Sequence, residues 1–250
     1  MVDIWKDVNG QNHIKPFMAK IYRLVESQEE IATLSLVNDV YEQCVLEDLI
    51  ESTKGLLPAD TDTLHYLLTT PFRYPPLRHG SRFGTAYERG IFYGSLNIQT
   101  ALAETAYYRF VYMLGPEKPY EHAISNQYSS FSVKVRSNNS VSLDAPPFSK
   151  FKARLASPSS YTETQQLGLH MRKSEVEMFQ FISARDKEAG KNLALFSPKA
   201  FHSKAPGQLT TWLCKTSIEE VGFIEKESKL RTSYSQNEFW VDNGFPSPAL

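Results

Sequence analysis

Residues 80–104 read GSRFGTAYERGIFYGSLNIQTALAE, and the way this stretch divides decides the fold. Gly80, Gly84 and Gly90 punctuate its first half, which marks a shaped loop rather than a regular element. Ile91-Phe92-Tyr93-Gly94-Ser95 is then rich in residues that suit a pleated strand. From Thr100 to Leu114 the chain turns to Ala, Leu, Tyr and Phe, and Gly115-Pro116 ends the run, so a helix is expected there. Arg82 lies in the loop, Tyr93 in the strand, and Glu104 about one turn into the helix.

Upstream, Pro71, Pro75 and Pro76 break the chain into short aromatic pieces, and Arg73-Tyr74 reads as part of a strand. Tyr22-Arg23-Leu24-Val25 is a second short strand, followed by Ser27 and Glu30 at capping-box spacing, where a helix is expected to begin. Val37, Val40, Tyr41, Cys44, Leu46, Leu49 and Ile50 supply its apolar face, and Gly55-Leu56-Leu57-Pro58 ends it. Downstream, Phe131, Val133 and Val135 alternate as in a strand, and Ser160 with Glu163 suggests a second capping box before a helix to about Met171. Strands are expected over 175–184, 192–197, 209–215 and 221–225, with a frayed tail from Pro246. Strands that succeed one another without regular helical crossovers imply an α+β fold with mainly antiparallel pairing. The expected division is a helical extension over 1–65 packed on the core, a domain over 66–240, and a tail over 241–250.

The 250 residues are 41% hydrophobic and 22% charged, enough for one large domain or a domain with an appendage. Lys and Arg number 27 against 28 Asp and Glu, a balance without broad attraction for nucleic acid. The charged start around Asp3, Lys6 and Asp7, together with the lack of any run near the roughly 18 apolar residues of a membrane span, leads us to expect a cytoplasmic protein. Cys44 and Cys214, with no CxxC pair, are expected as free thiols, and the six scattered histidines show no metal-ligand spacing. There is no GxSxG elbow, no phosphate loop and no GxGxxG fingerprint.

What remains is the concentration of chemistry between Arg73 and Glu104. An arginine fork suits a diphosphate, tyrosine can stack on a flat heteroaromatic ring, and a carboxylate can stabilise positive charge developing at a sugar carbon. The set fits a nucleotide-sugar substrate. Arg89 and Arg109 are expected to face solvent, and Tyr107 and Tyr108 to be packing residues.

Gly80-Ser81-Arg82-Phe83, then Phe92-Tyr93-Gly94-Ser95, then Thr100-Ala101-Leu102-Ala103-Glu104 resembles the pattern of the RES family, named for Arg, Glu and Ser. Arg82, Tyr93 and Glu104 stand 11 residues apart in turn, a spacing compatible with that pattern. Phe181-Ile182-Ser183-Ala184-Arg185, followed by Asn192-Leu193-Ala194-Leu195-Phe196, is similar to the family's late motif, and the resemblance covers about residues 70–215. It implies an ADP-ribosyltransferase-like core of two antiparallel sheets forming an NAD cleft. It also implies a bacterial toxin of a toxin–antitoxin pair that cleaves the nicotinamide–ribose bond by hydrolysis or with inorganic phosphate; the alternatives are a protein ADP-ribosyltransferase and a catalytically silent interaction protein on the same fold. An Xre-type antitoxin is the implied partner. Carried over, Arg82, Tyr93 and Glu104 would be catalytic. Arg73, Tyr74, Ser95, Ser183 and Arg185 would bind NAD. Phe83-Gly84 departs from the family's Trp-Asn at that point. The N-terminal helix, absent from minimal members, has three possible uses: antitoxin binding, dimerisation, or covering an exposed sheet. The last is expected, because amphipathic helices more often complete a core.

Overall fold

Asp39 opens the first long helix by accepting the backbone N–H of Glu42 on its side chain, and Asn97 does the same for Thr100 at the start of the central helix. The computed structural model describes residues 3–27, 36–74, 76–118, 120–242 and 244–247. In chain order its elements begin with α1 (Ile4–Asp7), β1 (Lys15–Glu26), α2 (Val40–Thr53), α3 (Tyr66–Arg73), β2 (Phe92–Ser95), α4 (Ile98–Leu114) and β3 (Ile124–Ser142). They continue with α5 (Lys152–Leu155), α6 (Thr162–Lys173), β4 (Met178–Ile182), β5 (Lys191–Leu195), β6 (Thr210–Thr216), β7 (Glu220–Glu225) and β8 (Arg231–Ser235).

β1 pairs antiparallel with β3 from Lys15↔Ser140 to Glu26↔Tyr128, and β6, β7 and β8 extend that sheet from the other edge of β3. β2, β5 and β4 form a second antiparallel set. The two sets join at Tyr22↔Ser95 and through a short parallel run of Ser140–Ser142 against Met178–Gln180. This is the expected α+β core of two antiparallel sheets, stitched into one eight-stranded network. β1 belongs to it, so residues 1–65 supply a strand as well as helices. The expected strands over 175–184, 192–197, 209–215 and 221–225 correspond to β4 through β7. β8 was not foreseen, because Arg-Thr-Ser-Tyr-Ser at a sheet edge lacks the apolar alternation that marks a half-buried strand.

Three apolar clusters hold these layers. α4 lays Leu102, Ala106, Tyr107 and Phe110 against Trp212, Cys214, Val221 and Phe223 of β6 and β7. Ile21, Phe92, Phe131 and Leu193 are buried with Leu68 and Phe72 of α3. Phe83, Phe179 and Phe181 join Leu167 and Met171 of α6 and Trp5 of α1. Among the described residues no helix is long and apolar enough to cross a membrane.

Three local expectations are corrected, and a fourth lies outside the described residues. Arg73 is not in a strand but ends α3, which runs through Pro71. The burial of Leu68 and Phe72 outweighs the hydrogen bond that proline removes from the helix. The helix start expected at Ser27 and Glu30 lies outside the described residues from Gln28 on; Ser27 itself prolongs β1 by donating its N–H to Gln127. α2, expected to cover a sheet, leaves Val40 79%, Tyr41 78% and Leu49 59% exposed, since α3 already occupies the face above Ile21 and Phe92. The capping box at Ser160 does not form. α6 starts at Thr162 with no side-chain cap, and Glu163 pairs with Arg154 at 2.9 Å instead. The ending is tied down at its near part: the Tyr107 hydroxyl donates to the Pro246 carbonyl at 2.7 Å, and Phe245 stacks on the Tyr107 ring.

Candidate active site

Gly80 takes a left-handed φ of +72°, and the backbones of Ser81 and Gly84 then pair with each other, closing a tight loop around Arg82 and Phe83. Phe83 is fully buried between Phe179 and Phe181, which fixes the loop to β4. From α6, the Gln165 amide donates to the carbonyls of His79 and Ser81 at 3.0 Å each. At Gly90 an added Cβ would fall 2.0 Å from the Pro71 carbonyl oxygen, so only glycine lets this loop run against the end of α3. The loop, β2 and α4 surround a cleft of about 770 Å³. That is within the usual size of a small-molecule site.

Arg82 reaches its wall with the guanidinium 4.8 Å from the Tyr161 ring centroid and one arm donating to the Ser157 carbonyl at 2.6 Å. Tyr93 shares a 2.9 Å hydrogen bond with the Ser81 hydroxyl and accepts the Phe83 N–H on its own oxygen. Burial pushes the Tyr93 phenol up to about 12, so it remains a neutral hydroxyl at working pH.

Glu104 stands on the side of α4 that faces the cleft. Its Oε1 accepts from both the Ser183 hydroxyl and the Asn192 amide, each at 2.6 Å. The Ser95 hydroxyl donates to the Asn192 Oδ1 at 2.7 Å, and the Ser183 oxygen accepts the N–H groups of Arg185 and Asp186 at 3.0 Å. Two donors, each held by another group, therefore fix one carboxylate oxygen. The other accepts no hydrogen bond among the described residues. Two short donors on one oxygen set the orientation of the carboxylate.

The structure thus brings together Arg82, Tyr93, Glu104, Tyr74 and Ser95 at one cleft. Ser183 is adjacent but buried, with its hydroxyl engaged by Glu104. Arg185 is buried as well, its guanidinium 3.5 Å from the Tyr107 ring centroid and one arm on the Pro158 carbonyl at 2.8 Å. Arg82 and Arg185 thereby grip consecutive carbonyls of the loop that carries Tyr161. Arg73 does not reach the cleft wall. Its fork is taken by Glu51 at 2.9 Å and by the Gly55 carbonyl at 2.5 Å, at the C-terminal end of α2.

Sequence reasoning missed several wall residues. Tyr108, expected to pack, lines the cleft and is half-exposed to it. Arg109, expected at solvent, is buried, donating to Thr216 at 3.1 Å and to Asn126 at 2.6 Å. The four-residue step from Glu104 to Tyr108 was the available signal, whereas the five-residue step to Arg109 carries none. Asn192, Tyr161 and Arg23 come from distant segments, and only the fold reveals them. Arg89, also expected at solvent, lines the wall while both its arms hold Asp60 at 2.9 Å. By contrast Arg23, Arg82 and Arg109 have no carboxylate partner among the described residues; each donates to neutral oxygens. The cleft accordingly combines three unneutralised cations with one oriented carboxylate, which suits an anionic ligand that develops positive charge at one carbon.

A model of the RES domain matches residues 58–216 of the chain. No curated protein matches it. Among solved structures, a chain of the M. tuberculosis MbcT-MbcA toxin-antitoxin complex superposes with a TM-score of 0.50 at 10% identity, covering 87% of this chain and 94% of that one.

Proposed function

Since the RES domain takes up residues 58–216, this chain belongs to the RES family, and from that premise we propose that it cleaves the nicotinamide–ribose bond of NAD. The observation that carries the reading is Glu104, with one oxygen locked by Ser183 and Asn192, on a cleft whose cations Arg23, Arg82 and Arg109 lack acid partners among the described residues.

In this reading Arg82 holds the phosphates, Tyr93 flanks the nicotinamide, and the free edge of Glu104 faces the ribose carbon. The bond from that carbon to the ring nitrogen breaks, and its electron pair returns to the ring. Nicotinamide carries positive charge in NAD and leaves neutral, so no general acid is required. Glu104 stabilises the oxocarbenium-like sugar until water or inorganic phosphate adds to it, with loss of a proton from the acceptor. The stabilisation belongs to the transition state, because the carboxylate is positioned before charge develops.

We place the activity in a toxin–antitoxin pair, with this chain as toxin and an Xre-type antitoxin as its partner. Family membership supports that setting, as does the likeness to a chain of a toxin-antitoxin complex. Expression in a bacterial host with and without a companion reading frame tests it by growth.

The chemistry is tested by incubating the protein with NAD, with and without phosphate, and identifying products by mass spectrometry. Nicotinamide release is expected, and Glu104→Gln is expected to lower kcat about 100- to 1000-fold with KM changed little. ADP-ribose as co-product identifies water as acceptor, and its phosphorylated form identifies phosphate. Undiminished turnover in Glu104→Gln removes Glu104 from the reaction; label from NAD on a macromolecule redirects the reading to a protein ADP-ribosyltransferase.

A further inference from the structure

Arg185 is buried and does not line the cleft. Its backbone N–H donates to the Ser183 oxygen at 3.0 Å, and its guanidinium lies 3.5 Å from the Tyr107 ring centroid. Tyr107 is a fixed platform: it is fully buried, its hydroxyl donates to the Pro246 carbonyl at 2.7 Å, and Phe245 stacks on its ring. A side chain held by its own backbone at one end and by an immobile ring at the other has little freedom to swing. It presents one arm to the Pro158 carbonyl, at 2.8 Å.

That carbonyl belongs to a stiff turn. Proline fixes its own φ, and the Ser160 N–H donates to the Ser157 hydroxyl oxygen at 3.1 Å. The preceding carbonyl, of Ser157, is the one that Arg82 grips at 2.6 Å, and Tyr161 at the end of the turn supplies the ring 4.8 Å from the Arg82 guanidinium. α6 starts directly after Tyr161, and its Gln165 donates to the His79 and Ser81 carbonyls just ahead of Arg82. Residues 157–165 therefore place both the backbone and the head of Arg82. Arg73, Arg89 and Arg154 are each placed by a carboxylate, of Glu51, Asp60 and Glu163. Arg82 has none among the described residues, so a carbonyl and a ring decide where its charge stands, and the anchorage of those two groups decides how firmly.

We propose that Arg185 is a positioning residue: it holds the turn at 157–161, and the turn holds the Arg82 guanidinium where an anionic ligand meets it. This rests on the reading in which Arg82 binds phosphate groups. It replaces the direct ligand contact expected of Arg185 from the sequence, which its place off the cleft wall denies it.

The test is a double-mutant cycle on the full chain. Wild type, Arg185→Met, Arg82→Lys and the double variant are titrated calorimetrically with inorganic pyrophosphate and assayed for NAD cleavage, after urea unfolding has shown each to be folded. Arg185→Met is expected to bind pyrophosphate about tenfold more weakly, the loss typical of a charge-assisted hydrogen bond, and to raise KM for NAD by a similar factor with kcat little changed. Arg185→Lys, which keeps the charge but not the planar fork, is expected to fall between Arg185→Met and wild type. In the Arg82→Lys background the Arg185→Met effect is expected to disappear, because a residue that acts through Arg82 has nothing left to position. Coupling seen with pyrophosphate in a protein that leaves NAD intact keeps the positioning role and defeats the NAD reading. NAD cleavage with additive effects keeps that reading and overturns the proposal. A fall in kcat at constant KM in Arg185→Met, unchanged pyrophosphate affinity in that variant, or no pyrophosphate binding by wild type overturns it as well. Should Arg185→Met fail to fold, Arg185→Lys takes its place in the cycle under the same criteria.

Discussion

Helices α2 and α4 both place apolar side chains at three- and four-residue steps, and they end in opposite situations. Nine residues of α4 are buried, among them Leu102, Ala106 and Phe110, whereas the buried residue of α2 is Gln43. Periodicity states that a face exists; the surfaces already claimed elsewhere decide whether it is covered. β6 and β7 lie open to α4, while α3 has closed the corresponding face before α2 can reach it. α4 also turns a second side to the cleft, with Glu104, Tyr108, Arg109 and Tyr112. One helix thus serves as core on one side and as site on the other.

The contrast is most directly broken at Phe110. Phe110→Ala is expected to cost about 3–5 kcal/mol in urea unfolding, the range for a buried aromatic that leaves a cavity, and a loss below about 1 kcal/mol would mean that α4 is no better seated than α2. Next in size is Ser183→Ala, which removes one donor from Glu104. It is expected to lower kcat about tenfold while leaving KM nearly unchanged. A rise in KM at constant kcat would instead make Ser183 a substrate contact, as the family resemblance implied.

A third comparison uses alkali. Tyr93, Tyr107 and Tyr128 are each pushed up to about 12, foremost by burial. The fold therefore favours their neutral forms, and the unfolded chain ionises first, near 10. Their contribution to stability is fully present below about pH 10 and is lost as pH rises through about 12. Chemical denaturation at stepped pH should show that decline, and Tyr93→Phe should flatten part of it. The smallest effect is expected at α2, where Leu49→Ser should stay within about 0.5 kcal/mol of wild type; a larger loss would show that this exposed face is packed after all.

How much could be read from the sequence depended on distance along the chain. Gly80 to Glu104 was legible because its turn, strand and helix signals are local, and the Arg82, Tyr93 and Glu104 cluster came with them. Ser183 was found, but its role was not, since the bond that gives it one spans 79 residues. Arg23 reaches Tyr93 across 70 residues and carries no local sign. Arg73 misled for the opposite reason. It sits among the right residue types, but α3 turns it toward Glu51, and no spacing rule reveals that orientation.

Arg82 has one further consequence. Its guanidinium gives an arm to the Ser157 carbonyl while the rest of the fork stays with the cleft. In the proposed reaction loop and ligand would draw on one side chain, and thermodynamic linkage would make their effects mutual. A ligand that ordered Arg82 would then favour the loop conformation it grips, and whatever held that loop from outside would shift the affinity of the cleft by the same factor. The grip of an arginine on one carbonyl would thus make a surface loop a lever on the proposed site.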